Sequence, residues 1–353
     1  MREAEQPHGA AEPTTASVPP TLADVAALAG VSRQTVSNAL NNPALLRADT
    51  LERVRSAIAE LGYSPNRAAR NLRTRASRLI GLRLTAVVDE TANPTTDRFV
   101  HSLVQASREA GYHVLLFDGD DPDDPASGYD ALVRSTAVDA FVVTDTFRGN
   151  PQAAHLEASG VPFVAFGRPW KPAALHPWVD VDGGAGVAAA TRHLVERRHT
   201  RIAWVGWRAQ SHLGEDRRDG WARTLRERGL PVEGLAARGD DTPASGYAAA
   251  SALLDSAAPT AFVCASDTLA AGVLDLLRDR GLGAGRDVAV VGFDDSPFAQ
   301  LLPGGLTSVR QPLEDVAVHL VAQLGELLAR RAPYGTGTLL EPRLVVRGST
   351  LTR

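Results

Sequence analysis

Between Thr21 and Asn41 the chain carries two short helical patterns separated by a glycine, and nothing else in the sequence restricts the fold as much. Leu22, Val25, Ala26 and Ala29 fall at i, i+3, i+4 and i+7, which is one face of a helix. Gly30 supplies the backbone freedom of a tight turn. Ser32 is placed to cap a second helix, whose Val36, Ala39 and Leu40 face back onto the first. Arg33, Gln34, Thr35, Ser37 and Asn38 are left pointing outward, and all carry hydrogen-bonding groups that reach base edges or phosphates. The pattern predicts a helix-turn-helix whose second helix suits a DNA major groove. Two amphipathic helices around a glycine also occur in proteins that never meet DNA, so the pattern needs support.

The residues after Asn41 supply it. Asp49 to Leu61 reads as a third helix, with Leu51, Val54, Ile58 and Leu61 on one face to close a three-helix core. Between Thr21 and Arg78 nine arginines face four carboxylates, although the whole chain carries a net charge of −4. A basic end on an acidic body is the charge distribution that polyanion binding by one end requires. The rest of the composition excludes other classes. The lone Cys264 rules out an internal disulfide or a cysteine-based zinc cluster, and its apolar surroundings suggest a buried strand thiol. No segment reaches membrane-spanning length. Residues 1–20 hold four prolines and no apolar stretch, so a disordered tail is expected there rather than a signal peptide, and a cytoplasmic location with it. No Walker loop, zinc motif or serine-nucleophile elbow is present, and no cofactor is called for.

The segment Gly62-Tyr63-Ser64-Pro65-Asn66, followed by Ala68-Ala69-Arg70-Asn71-Leu72, makes the reading specific. With Thr-Leu-x-Asp-Val-Ala, Ala-Gly-Val-Ser, Thr-Val-Ser and Ala-x-Leu-Asn before it, residues 21–75 resemble the headpiece and hinge of the lac repressor family of bacterial transcription regulators. The resemblance implies a helix-turn-helix headpiece at 21–64, a hinge helix and linker at 65–78, and a two-lobed periplasmic-binding-protein-like α/β domain at 79–353. It implies a homodimer on a near-palindromic double-stranded operator. Arg33, Gln34 and Asn38 would choose bases, while Thr21, Leu22, Ser32, Thr35, Ser37, Asn41, Tyr63 and Asn66 would grip phosphates and set register. Ala69 would let two hinge helices approach, and Leu72 would wedge into the central base step of the minor groove. One departure stands out: Arg47 occupies the place of a capping Ser, so helix three is expected to start a residue or two later, on Asp49 or Thr50. No leucine heptad closes the chain, so the expected assembly is a dimer rather than a tetramer.

From Leu79 onward short apolar runs alternate with helical patterns. Strands are expected at 79–82, 114–117, 140–143, 163–166, 202–205, 261–264 and 288–293, which predicts parallel sheets covered on both faces. A break near Asp180 to Gly184 would divide them into two lobes, with a ligand cleft at the strand C-terminal ends. The family resemblance adds three chain crossings between the lobes. It also marks Arg217, in Arg-x-x-Gly-Trp, and Asp294, in Val-Gly-Phe-Asp-Asp, as the leading effector contacts. Arg168, Trp170, Trp178, Trp207, Trp221, Asp241 and Ser266 complete the candidate set. Carboxylates, arginines and indole faces together suit a sugar, which pairs its hydroxyls with the first two and stacks on the third. A purine or nucleoside stacked between the same rings is the alternative. Other readings compete at single positions: Asp267 and Asp182 as helix caps, Asp295 as a turn residue, Trp204 and Trp221 as core. A glycosidase built on Asp294 and Asp295 would leave the basic headpiece without a purpose.

Overall fold

The computed structural model describes residues 20–63, 76–84, 94–118, 127–135, 137–144, 146, 151–169, 176–208, 211–329 and 337–351. The chain divides into two compact units, residues 1–76 and 77–353.

Among its described residues the first unit has three α-helices: α1 (Leu22–Ala29), α2 (Arg33–Asn41) and α3 (Ala48–Leu61). Thr21 caps α1 through a reciprocal box, its hydroxyl oxygen accepting from the Asp24 N–H while its own N–H donates to the Asp24 carboxylate at 2.7 Å. Gly30 ends α1 in the left-handed region at φ 62°, where a side chain would be strained. Ser32 caps α2 by accepting from the Thr35 N–H at 3.1 Å. Val25, Ala26, Ala29, Val36, Val54 and Ala57 form the buried core, with Leu22, Ala39, Leu40, Ile58, Leu61 and Tyr63 packed around it. One expectation fails here. Helix α3 begins at Ala48 with Arg47 itself in the capping position and no side-chain cap bond; Asp49 lies inside the first turn. A carboxylate there favours the helix through the dipole, which offsets the missing cap without moving the start.

Among the described residues the second unit is built on two six-stranded sheets. The first lobe contains β1 (Leu79–Arg83), α4 (Pro94–Glu109), β2 (His113–Phe117), α5 (Ser127–Arg134), β3 (Ala140–Val143), α6 (Pro151–Ala158), β4 (Phe163–Phe166) and β5 (Trp178–Val181). The second contains α7 (Gly183–Glu196), β6 (Ile202–Trp207), α8 (His212–Glu227), β7 (Ala236–Gly239), α9 (Pro243–Ala257), β8 (Ala261–Cys264), α10 (Asp267–Asp279), β9 (Ala289–Phe293), α11 (Pro297–Leu301) and β10 (Thr307–Arg310). The chain then returns to the first lobe for α12 (Leu313–Leu328) and β11 (Gly337–Leu340), and ends in the second with β12 (Arg343–Val345). The strand orders are β11-β5-β4-β3-β1-β2 and β12-β10-β9-β8-β6-β7, parallel throughout except where β12 runs against β10. The chain therefore crosses between lobes three times, after β5, after β10 and between β11 and β12.

Strands β3, β8 and β9 are buried along their whole length, as continuous apolar runs in a covered parallel sheet should be. Helices pair closely beside them. A Cβ at Gly220 of α8 would stand 2.2 Å from the Gly184 carbonyl of α7, so glycine is what brings these helices together. Cys264 is the buried strand thiol expected from its neighbours. Among the described residues no helix is long and apolar enough to cross a membrane.

Candidate functional site

In the first unit, α2 presents a polar face. Arg33, Ser37, Asn41, Gln34 and Asn38 occupy about 140° of arc at 100° per residue, opposite the buried Val36. Arg33, Gln34 and Asn41 are exposed; Ser37 and Asn38 are half-buried. Their polar groups are pre-arranged along the helix, with Gln34 Nε2 donating to Asn38 Oδ1 at 3.1 Å and Asn41 Nδ2 to the Ser37 carbonyl at 2.6 Å. Thr21 and Ser32 already serve as caps, and the Thr35 hydroxyl lies 2.9 Å from that of Ser32. Leu22 and Tyr63 pack against the core, leaving the Leu22 N–H at the start of α1 and the Tyr63 hydroxyl as the groups they can offer a phosphate. Asn66, Ala69 and Leu72 lie outside the described residues.

In the second unit, polar residues gather where parallel strands end. Arg217, in the second turn of α8, is 3% exposed. Its guanidinium stacks 3.6 Å from the Phe293 ring centre and 4.8 Å from that of Trp207, and Nη1 donates to the Ala265 carbonyl at 2.6 Å. Among the described residues, Nε has no hydrogen-bond partner although it is buried, and neither has the Trp207 indole N–H. Burial pulls the guanidinium below its ordinary value, opposed by the carboxylates of Asp294, Asp180, Asp241 and Asp216. Asp294 follows β9 with its backbone at φ 108°, a conformation L-residues rarely adopt. Burial pushes its carboxyl up to about 7, with Asp267 and Asp241 adding to the rise, while Arg217 and a 2.6 Å hydrogen bond from Gln311 Nε2 oppose it.

The first lobe contributes Arg168, just past β4. It donates through Nε to Asp180 at 2.6 Å and through Nη2 to Asp216 of α8 at 2.9 Å, so one guanidinium ties both lobes together. Asp216 also accepts from the Gly184 N–H at 2.9 Å, at the first crossing. Asp180 sits 4% exposed, and burial raises its carboxyl above the ordinary value against the pull of Arg168.

Several candidates fall elsewhere. Trp221 is wholly buried in the second-lobe core, stacked on Trp204 with ring centres 6.3 Å apart, and its indole donates to the Ile202 carbonyl at 3.2 Å. It belongs to the core because α8 turns that face onto β6. Trp178 opens β5, so it lies at the amino end of a strand whose carboxyl end faces the cleft; its ring covers Gly337 of β11, where a Cβ would come within 2.0 Å. Trp170 lies outside the described residues. Ser266 caps α10, accepting from the Leu269 N–H at 3.1 Å and donating to Asp241. Asp267 is therefore not the cap; it accepts from the Ser296 N–H and the Ser308 hydroxyl, both at 2.7 Å, and holds the β9–α11 turn. Burial brings its carboxyl to about 6. Asp182 does cap α7. Asp180 and Asp216, which lie in the polar runs at the strand ends but were not singled out as contacts, join the cluster together with Gln311. Gln311, on the return to the first lobe, carried no signal in the sequence.

A three-helix unit followed by a two-lobed α/β unit with a buried Arg-carboxylate centre has clear relatives. The model of bacterial regulatory proteins of the lacI family matches residues 21–66, and that of the periplasmic binding protein-like domain matches residues 191–350. The chain is 36% identical over 340 residues to the HTH-type transcriptional regulator CelR of Thermobifida fusca, covering 94% of this chain and 98% of that protein. The solved complex of the transcriptional regulator CelR with cellobiose superposes with a TM-score of 0.72 at 33% identity, over 94% of this chain and 99% of the other. The lac repressor dimer bound to operator and the anti-inducer ONPF superposes with a TM-score of 0.79 at 27% identity, over 95% and 100%. The chain belongs to the lacI family of bacterial transcription regulators.

Proposed function

We propose that the protein is a homodimeric repressor that reads a near-palindromic operator through α2 and is released from it by a saccharide bound between the lobes of the second unit. The observation that carries the reading is the buried Arg217, held between Trp207 and Phe293 with an unpartnered Nε and ringed by carboxylates at strand ends. Such a site matches a ligand rich in hydroxyls, which can both accept from Arg217 and donate to the carboxylates. CelR, solved with cellobiose, supports a sugar over a purine. The parts divide as 1–20 tail, 21–64 headpiece, 65–78 hinge and linker, and 79–353 effector and dimerisation domain, working in the cytoplasm at the nucleoid. Arg33, Gln34 and Asn38 read bases; Asn66, Ala69 and Leu72 act at the hinge; Arg168, Trp207, Arg217 and Asp294 contact the effector, with Asp241 and Ser266 beside them.

A hydrolytic role for the cleft is disfavoured by its chemistry. Asp295 is ion-paired with Arg347 at 2.6 Å, whereas Asp294 accepts from Gln311 at 2.6 Å and is acted on by Arg217. The neighbouring carboxylates therefore do not flank one bond. The test is selection of palindromic DNA from a randomised library, with and without a sugar and purine panel. A palindrome enriched alone and lost on adding one sugar establishes the inducible repressor. Enrichment only in the presence of a purine would replace it with a corepressor system, and no enrichment at all would sink the DNA reading.

A further inference from the structure

The cleft is unbalanced in charge. Asp180, Asp216, Asp241 and Asp294 each act electrostatically on Arg217. Among the described residues two arginines answer these four carboxylates: Arg168 is bonded to Asp180 and Asp216, while Arg217 donates to the Ala265 carbonyl and packs on two aromatic rings, leaving Nε open. At the end of β6, Arg208 is held by two hydrogen bonds from its guanidinium to Asp240. Among the described residues an incoming carboxylate or phosphate therefore meets more carboxylates than cationic groups, and Arg168 and Arg208 are already paired. Carboxylates only accept hydrogen bonds, so the complementary ligand brings O–H donors.

Asp241 differs from the others. Asp180 and Asp216 are ion-paired, and Asp294 accepts from Gln311, whereas Asp241 lies exposed after β7 with the Ser266 hydroxyl as its hydrogen-bond donor. That hydroxyl has one proton, and it goes to Asp241, while its oxygen accepts from Leu269 to cap α10. Ser266 thus orients the carboxylate. The buried and unpartnered Arg217 Nε marks the interior as a place where a ligand completes the hydrogen bonding. Resting on the saccharide reading above, we propose that Asp241 is a specificity residue that confines the cleft to uncharged, hydroxyl-rich saccharides and turns away sugar acids and sugar phosphates.

The test titrates the full-length protein, followed by tryptophan fluorescence, with matched pairs: cellobiose and cellobionate, maltose and maltobionate, glucose and glucose 6-phosphate. A neutral member is expected to bind at least tenfold more tightly than its anionic counterpart at low salt, and the ratio is expected to shrink as salt rises. Asp241→Asn is expected to cut that ratio at least threefold. Asparagine retains the oxygen that accepts from Ser266, so the α10 cap survives, and an unchanged melting temperature verifies this. The ratio, not the absolute affinity, is the readout. An anionic member that binds as tightly as its neutral partner, or a ratio unaltered in Asp241→Asn, overturns the inference while leaving the saccharide reading intact. If no member of any pair binds, the saccharide reading fails and this inference fails with it.

Discussion

Replacing Asp294 by Asn should make the second unit more stable at neutral pH while weakening its response to effector. The carboxyl moves from an ordinary 3.8 to about 7 in the folded protein. At 1.36 kcal/mol per pK unit, its ionised form costs the fold ~4 kcal/mol, a ceiling because the cleft relaxes and admits water. The direction follows from proton binding. Between pH 4 and 7 the folded state holds a proton that the unfolded chain has released, so the wild-type protein loses stability as pH rises through this window and levels off above it. The Asn side chain carries no charge at any of these values, and its oxygen can still accept from Gln311. The variant should match the wild type near pH 4 and exceed it by about 2–4 kcal/mol at pH 8.

Urea unfolding read by tryptophan fluorescence measures this cleanly, because Trp170, Trp178, Trp204, Trp207 and Trp221 all belong to the second unit. Any difference in backbone preference at φ 108° adds an offset that does not vary with pH, so the pH dependence isolates the charge. Two curves that keep a constant separation from pH 4 to 8 would refute the account of Asp294 as a desolvated carboxyl. In the same variant a ligand hydroxyl donates to an amide oxygen instead of a carboxylate, which should weaken effector binding about tenfold.

Three further outcomes are expected. Ser32→Ala removes the cap of α2 and should cost about 1 kcal/mol, seen as faster amide exchange in that helix without change in the second unit. Gly220→Ala places a methyl 2.2 Å from the Gly184 carbonyl and should cost more than ~2 kcal/mol in urea unfolding, since neither helix backbone can give way cheaply. Trp221→Phe should destabilise the second unit by about 1–3 kcal/mol yet leave effector affinity within about twofold, whereas Trp207→Phe should lower affinity with little change in stability.

Periodicity made the headpiece legible: the apolar spacing of α1 to α3, the Gly30 turn and the Ser32 cap all stand in the structure as read. The fully buried strands were equally plain. What escaped were β7, β10 and β11, where short or polar stretches such as Ala-Ala-Arg-Gly and Gly-Thr-Leu-Leu carry no continuous apolar signal, and β5, whose apolar pattern is broken by Asp180. The cleft was half legible. Arg217 and Asp294 announced themselves through local motifs, but Arg168, Asp180 and Asp216 meet only because the crossing after β5 folds distant segments together. Tryptophan misled: Trp221 and Trp178 spend their large apolar rings on packing, which sequence cannot separate from ligand stacking.

On the proposed reading, the features that make the cleft unfavourable in isolation are those on which a small-molecule switch would draw. A buried guanidinium nitrogen without a partner costs about 1–3 kcal/mol, and the desolvated Asp294 adds a penalty of similar order at neutral pH. A saccharide that donates to the carboxylate and accepts from Nε relieves both, and it does so only where the second lobe presents them together. Moving a two-state equilibrium from 1:99 to 99:1 needs a preference of about 5.5 kcal/mol for one state. Relief of these two groups adds affinity, and it contributes to that preference only to the extent that the two states present them to the ligand differently. The Arg168 tie to Asp216 sets what the ligand must work against or reinforce, since any change in lobe separation must also change that 2.9 Å pair. On the proposed reading, the strain at φ 108° and the crowded acids are where a ligand gains affinity, and the Arg168–Asp216 pair is where that gain meets the separation of the lobes.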